Sequence, residues 1–177
     1  MEITEVVIGY KLSKFKSERA AVVPYLIKDG ILHFLFAIDK KSGDVTDMGG
    51  GVKKGEYALD AAIREFKEES GGIFGDMYSK VNDMGCFLGL IGQRGKMSSL
   101  FIPVKETWYD NTSILNPSIE VEKMVWLSEK QLIMLLTYQK RSNDNMRMWN
   151  RPKRFYNNVF TEQFKNKLKV VYKMKQL

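Results

Sequence analysis

GGVKKGEYALDAAIREFKEESGG, residues 50–72, decides how the rest of this 177-residue chain is read. Leu59, Ala62, Ile63 and Phe66 recur at i, i+3, i+4 and i+7, which predicts a helix over 57–70 with one apolar stripe for a core. Gly71–Gly72 is its stop signal. At about 100° per residue, Glu65, Glu68 and Glu69 fall together on a second face, roughly 120° from the centre of that stripe. Three carboxylates so close repel one another unless a cation sits between them. A hard divalent ion, Mg²⁺ or Mn²⁺, suits clustered oxygen ligands, and magnesium keeps positions open for water and substrate phosphates. The pattern therefore points to phosphate chemistry. Ahead of the helix, Gly49, Gly50 and Gly51 are expected to adopt backbone conformations closed to other residues, turning a carbonyl toward a metal or an amide toward a phosphate. Arg64 is placed to pair with Glu68, and Glu56, at the helix start, to brace the loop.

The spacing Gly50-x5-Glu56-x7-Arg64-Glu65-Phe66-x-Glu68-Glu69-x-Gly71 resembles the box of the Nudix hydrolases. From ordinary residue frequencies, a chance match in a chain this long is roughly a one-in-several-million event. The resemblance implies an α/β/α sandwich with a mixed β-sheet, and a metal-dependent enzyme that cleaves a nucleoside diphosphate linked to another group. It implies Glu65, Glu68 and Glu69 as metal-binding carboxylates and Gly50 as the source of a carbonyl. Some members recruit a further glutamate six residues ahead of a tryptophan like Trp126; here that is Glu120, with Glu122 as a second candidate. The general base differs among relatives, and Glu65, Glu69 and Glu120 all qualify, with Glu69 favoured. Two departures stand out. Asp47–Met48–Gly49 replaces the usual aromatic and proline ahead of the glycines, and Gly72 replaces a residue that normally packs.

The surroundings of the box have the pattern of an α+β chain. Residues 5–10 read as a strand. AVVPYLI (21–27) and ILHFLFAI (31–38) flank the turn Lys28–Asp29–Gly30, a hairpin signal. Residues 39–55 read as a polar, glycine-rich loop. A second hairpin is expected from MGCFLGLIG (84–92) and MSSLFIPV (97–104), and a strand from VEKMVWL (121–127). Ser128 then looks like the N-cap of a short helix. Strands precede and follow a central helix rather than alternating with it, so a mixed sheet is expected, not a doubly wound parallel one. Residues 1–138 are taken as the hydrolase domain. Residues 139–177 are a basic, aromatic-rich C-terminal extension, helical at its end, packed on the same domain.

Charge separates these two parts. Of 28 Lys+Arg and 21 Asp+Glu, residues 139–177 hold 11 and two, a surplus of +9, which leaves the first 138 residues at −2. A basic end suggests a polyanionic partner or substrate. Trp149, Phe155, Tyr156 and Phe160 interleave with Arg147, Arg151, Lys153 and Arg154. They either stack on bases and hold phosphates, as an RNA-binding surface would, or cap the sandwich with the charges turned outward. Arg94 and Lys96, in the second hairpin's turn, are candidate substrate contacts. His33 and Cys86 read as packing residues, and a single histidine excludes a multi-histidine zinc site. The longest apolar run, 31–38, is far short of the ~20 residues of a membrane helix. With one cysteine and no signal-peptide pattern, the chain is expected to be soluble and cytoplasmic, without a membrane partner. The leading substrate is the capped 5′ end of RNA. The alternatives are small nucleotides (a dinucleotide polyphosphate, an ADP-ribose-like nucleotide sugar, a nucleoside triphosphate), inositol pyrophosphates, or a non-catalytic binding module on the same fold.

Overall fold

Strand β2 (Arg19–Lys28) is the axis of the molecule. The computed structural model describes residues 4–84, 87–92, 94–137, 146–157 and 159–177. Along one edge β2 pairs parallel with β7 (Met97–Pro103). Its other edge is divided: Arg19–Val22 pair with β5 (Met48–Gly51), and Tyr25–Lys28 pair with β3 (Ile31–Asp39), both antiparallel. Pro24 lies in the gap between these two partners. A proline has no N–H to give to a ladder, so the strand changes neighbours where a donor is already missing. Asp29 and Gly30, at φ of 53° and 76°, close the β2–β3 hairpin in the tight turn expected from sequence.

The remaining strands extend this frame. β1 (Glu5–Ile8) pairs with β6 (Leu88–Gly92), and β6 with β7, giving the order β1-β6-β7-β2-β3-β4 with β4 at Val45–Thr46. β8 (Val121–Ser128) runs antiparallel along β3. One parallel pair among antiparallel ones makes this the mixed sheet that was expected. Two strands, β4 and β5, stand where a loop was read over 39–55, because glycines have little strand propensity and β5 is mostly glycine.

Alternation along the strands feeds two cores. Ala20, Val22 and Leu26 of β2 and Leu35 and Ala37 of β3 join one, against helix α1 (Ala58–Ser70) and α2 (Met77–Met84). Val23 and Tyr25, with Leu32, Phe34, Phe36 and Ile38, join the other. That second face is covered by α4 (Glu129–Thr137), α5 (Asn150–Tyr156) and α6 (Glu162–Met174), while a single turn, α3 (Trp108–Asn111), packs Trp108 and Tyr109 against the first core. Helix, sheet and helix therefore form three layers, with the C-terminal helices as part of the third. The Ser128 hydroxyl accepts from the Gln131 amide at 3.2 Å, and Gln131 Oε1 accepts from the Ser128 amide at 2.9 Å, a reciprocal cap for α4. Among the described residues no helix is long and apolar enough to cross a membrane. Cys86 lies outside the described residues.

Candidate active site

Gly49 and Gly50 of β5 are needed for closeness rather than for unusual torsions, since neither has a positive φ. A Cβ on Gly49 would meet the Ala20 carbonyl oxygen at 2.4 Å and the Ala21 Cα at 2.7 Å; one on Gly50 would meet the Glu65 carboxyl carbon at 2.5 Å. Gly51 faces open space, and its carbonyl accepts from Arg64 Nη2 at 3.0 Å. Bare backbone thus lets β5 slide between β2 and the acidic face of α1. At the far end of α1, Gly71 and Gly72 both lie in the left-handed region (φ 69° and 73°), and the Gly72 amide donates to the Lys67 carbonyl. Gly72, a departure from the usual box, completes the helix stop here.

Arg64 is the brace of this region. Its Nε and Nη2 donate to the two carboxyl oxygens of Glu56, both at 2.9 Å, and its Nη1 donates to Glu65 Oε1 at 2.8 Å. Glu68 is a looser partner at 3.6 Å. Glu56 also accepts from the Lys53 amide. The Arg64 bonds outweigh the cost of partial burial, and the Glu56 pKa falls to about 2. Glu56 is therefore a fixed anion that ties the loop to α1.

Glu69 has the opposite environment. Burial, the charge of Asp47, and the smaller contributions of Glu65 and Glu120 push its pKa up to about 8, with only Arg19 opposing. It lines a cavity of about 600 Å³. Glu18, Asp39, Asp47 and Glu120 line that cavity as well, beside the Gly50 backbone, and so do Lys96, Arg151 and Arg154.

Below the cavity runs a polar chain that sequence reading missed. Arg19 Nη2 lies 2.8 Å from Asp47 Oδ1, the Tyr156 hydroxyl donates to Asp47 Oδ2 at 2.7 Å, and Ser99 Oγ lies 2.9 Å from that hydroxyl. Burial works against the Arg19 charge, but Asp47 more than offsets it and the pKa is raised. Burial first, and Asp47 second, raise the Tyr156 pKa. Arg19 Nη1 has no hydrogen-bond partner among the described residues, and Arg19 lines the cavity. The replacement of an aromatic–proline pair by Asp47–Met48 was the one visible trace of this chain.

The predicted residues divide clearly. Gly50, Glu69 and Glu120 line one cavity, while Glu65 lies against Gly50 and is not part of the cavity wall. Glu68 is exposed and turned to Arg64, and Glu122 is exposed and absent from the cavity wall. Lys96 lines the cavity; Arg94, exposed at φ 56°, does not. His33 makes a 3.0 Å contact from Nδ1 to the Ile31 carbonyl and packs on Tyr109, the structural role expected of it. Phe155 and Tyr156 are wholly buried and Phe160 packs against the same core, whereas Trp149 stays half-buried at the cavity.

Among the described residues no group of three or more His, Cys, Asp or Glu side chains is already drawn together as a metal cage. The donor chemistry nonetheless fits a hard divalent cation: after desolvation, the charges of Asp47, Glu65 and Glu120 add to the raised pKa of Glu69, and a cation would offset them.

A family model described as NUDIX domain matches residues 19–149. No curated protein matches the chain. Among solved structures, a C. elegans Ap4A hydrolase binary complex is similar at 20% identity, covering 70% of this chain and 88% of that one with a TM-score of 0.49. A second structure of C. elegans Ap4A hydrolase shows 19% identity, covers 68% and 86%, and has a TM-score of 0.42.

Proposed function

The chain belongs to the Nudix family, a Nudix-type hydrolase active on phosphoanhydride bonds, and on that premise we propose that it hydrolyses a small nucleotide in which a nucleoside diphosphate is linked to another group. The observation that carries this reading is the cavity, which sets the half-buried Glu69 and its acidic neighbours against Lys96, Arg151 and Arg154. An acidic side for a metal and a basic side for phosphate oxygens suit a diphosphate better than a neutral ligand. The size of the cavity suits one small ligand. A small nucleotide is favoured over an RNA end, because Phe155 and Tyr156 are spent on the core and, of the C-terminal aromatic and basic residues described, Trp149, Arg151 and Arg154 are the ones that line the cavity.

Glu65, Glu68, Glu69 and Glu120, with the Gly50 carbonyl, would hold Mg²⁺ or Mn²⁺. When bound, the ion supplies positive charge that offsets the diphosphate and brings the Glu69 pKa down toward neutrality. Glu69 is the general base. Glu65 is occupied by Arg64 and Glu120 is exposed, while Glu69 is half-buried in the cavity wall with a raised pKa. It takes the proton of a water that attacks phosphorus in line with the leaving oxygen, and two phosphate-bearing products result. Lys96 and Arg154 meet the charge that develops on the leaving phosphate. Arg19, held by Asp47, lines the same cavity.

The test is incubation with Mg²⁺ and a panel of dinucleotide polyphosphates, ADP-ribose, nucleoside triphosphates, inositol pyrophosphates and capped RNA, with products identified. Mononucleotide products from small substrates, faster than any from capped RNA, are expected. No turnover on any member of the panel would leave a binding module; turnover of capped RNA alone would transfer the reading to RNA ends.

A further inference from the structure

Trp149 is set apart from the other two tryptophans. Trp108 packs on Phe74 with ring centroids 4.4 Å apart, and Trp126 stacks on Tyr109 at 6.2 Å. Trp149 has no ring neighbour among the described residues. It lines the cavity that holds Glu69, and also two adjoining cavities: one toward Arg147 and Lys153, the other toward Lys40 and Ile119.

Its backbone is nevertheless firmly held. Met148 bridges to Val45, the Trp149 amide donates to the Val45 carbonyl at 2.9 Å, and the Trp149 carbonyl accepts from the Lys153 amide at 3.1 Å. A half-buried indole on a fixed backbone loses little freedom when a flat ligand covers it, and a base stacked on an aromatic ring gains binding from its whole face. Just after it in the chain α5 supplies Arg151 and Arg154, both in the cavity wall, which answer the phosphates that a base brings with it. We propose that Trp149 is the stacking platform for the nucleobase of the substrate, and that Arg151 and Arg154 hold its phosphates toward Glu69. This rests on the nucleotide reading above and deepens it by assigning the residue that selects a nucleotide over an inositol pyrophosphate, which has no aromatic face.

The test uses α,β-methylene-ADP, whose bridging carbon cannot be hydrolysed, and methylenediphosphonate, the same diphosphonate without a nucleoside. Both are titrated into the full chain with Mg²⁺ present, by calorimetry and by tryptophan fluorescence. In the wild type, α,β-methylene-ADP binds and quenches. Trp149→Phe keeps affinity within a few-fold and loses most of the quench. Trp149→Leu, which preserves apolar bulk without a π face, weakens α,β-methylene-ADP by roughly tenfold or more, the size of base–aromatic stacking, and leaves methylenediphosphonate unchanged. Absence of α,β-methylene-ADP binding in the wild type, a Trp149→Leu affinity within twofold of wild type, or equal losses for both probes would overturn the assignment. The two readings fail separately. A negative substrate panel with this binding pattern intact removes the hydrolase reading and keeps the platform; turnover with Trp149 silent does the reverse.

Discussion

At the scale of single residues, Glu69 carries the clearest expectations. Its folded pKa of about 8 stands above the ordinary carboxylate value of 4.5, so between those pH values the folded protein holds a proton that the unfolded chain has lost. Stability of the metal-free protein is therefore fully supported by this group below about pH 4.5, falls as pH rises toward 8, and levels off beyond. Melting temperatures in the presence of a chelator should show that decline, and Glu69→Gln should flatten it. With Mg²⁺, the same variant should turn over at least about a hundredfold more slowly while staying folded, as expected for loss of a general base. Near-normal turnover would assign the proton to another group. Adding Mg²⁺ below pH 8 should also release protons, measurable by calorimetry in buffers of different ionisation enthalpy.

At the scale of elements, β5 makes a graded prediction. Gly49→Ala pushes a methyl into the backbone of β2 and should cost about 1–3 kcal/mol of stability. Gly50→Ala meets only the movable end of Glu65, so it should depress kcat/KM far more than the melting temperature. Gly51→Ala should be close to neutral on both. These differences were invisible in the triplet GGG, where all three positions look alike and loop character was the natural reading. What the sequence did disclose were features with a strong local period or a fixed spacing. The stripe Leu59, Ala62, Ile63 and Phe66 is buried as expected, the 21–38 hairpin closes at Asp29–Gly30, and Ser128 caps α4. The Arg19–Asp47–Tyr156 chain was not legible, because it joins residues whose proximity is set only by the assembled sheet and third layer.

At the scale of the whole molecule, the basic C-terminal part has a double allegiance. Among its described residues, Arg151 and Arg154 line the cavity, whereas Phe155, Tyr156, Phe164 and Leu168 fill the core of the third layer. Removing 139–177 should therefore unfold the protein rather than merely weaken anion binding, a result visible as loss of a cooperative melting transition. Point changes dissect it better. Tyr156→Phe takes a buried donor from Asp47 and should lower stability by about 1–3 kcal/mol without altering surface charge. Charge reversal at Arg151 leaves the core intact and should raise KM for the nucleotide.

The link from Tyr156 to Asp47 spans 109 residues of sequence, and the link to Ser99 spans 57. On a ribosome, the carboxylate is made long before the phenol that satisfies it, and the strand bearing Arg19 waits for β7 before it can pair along that edge. Contacts of such long range are formed slowly, after local hairpins and helices. A nascent chain that stops short of α5 thus has its hairpin and its acidic helix but an unpaired Asp47 carboxylate oxygen where the Tyr156 hydroxyl will later dock.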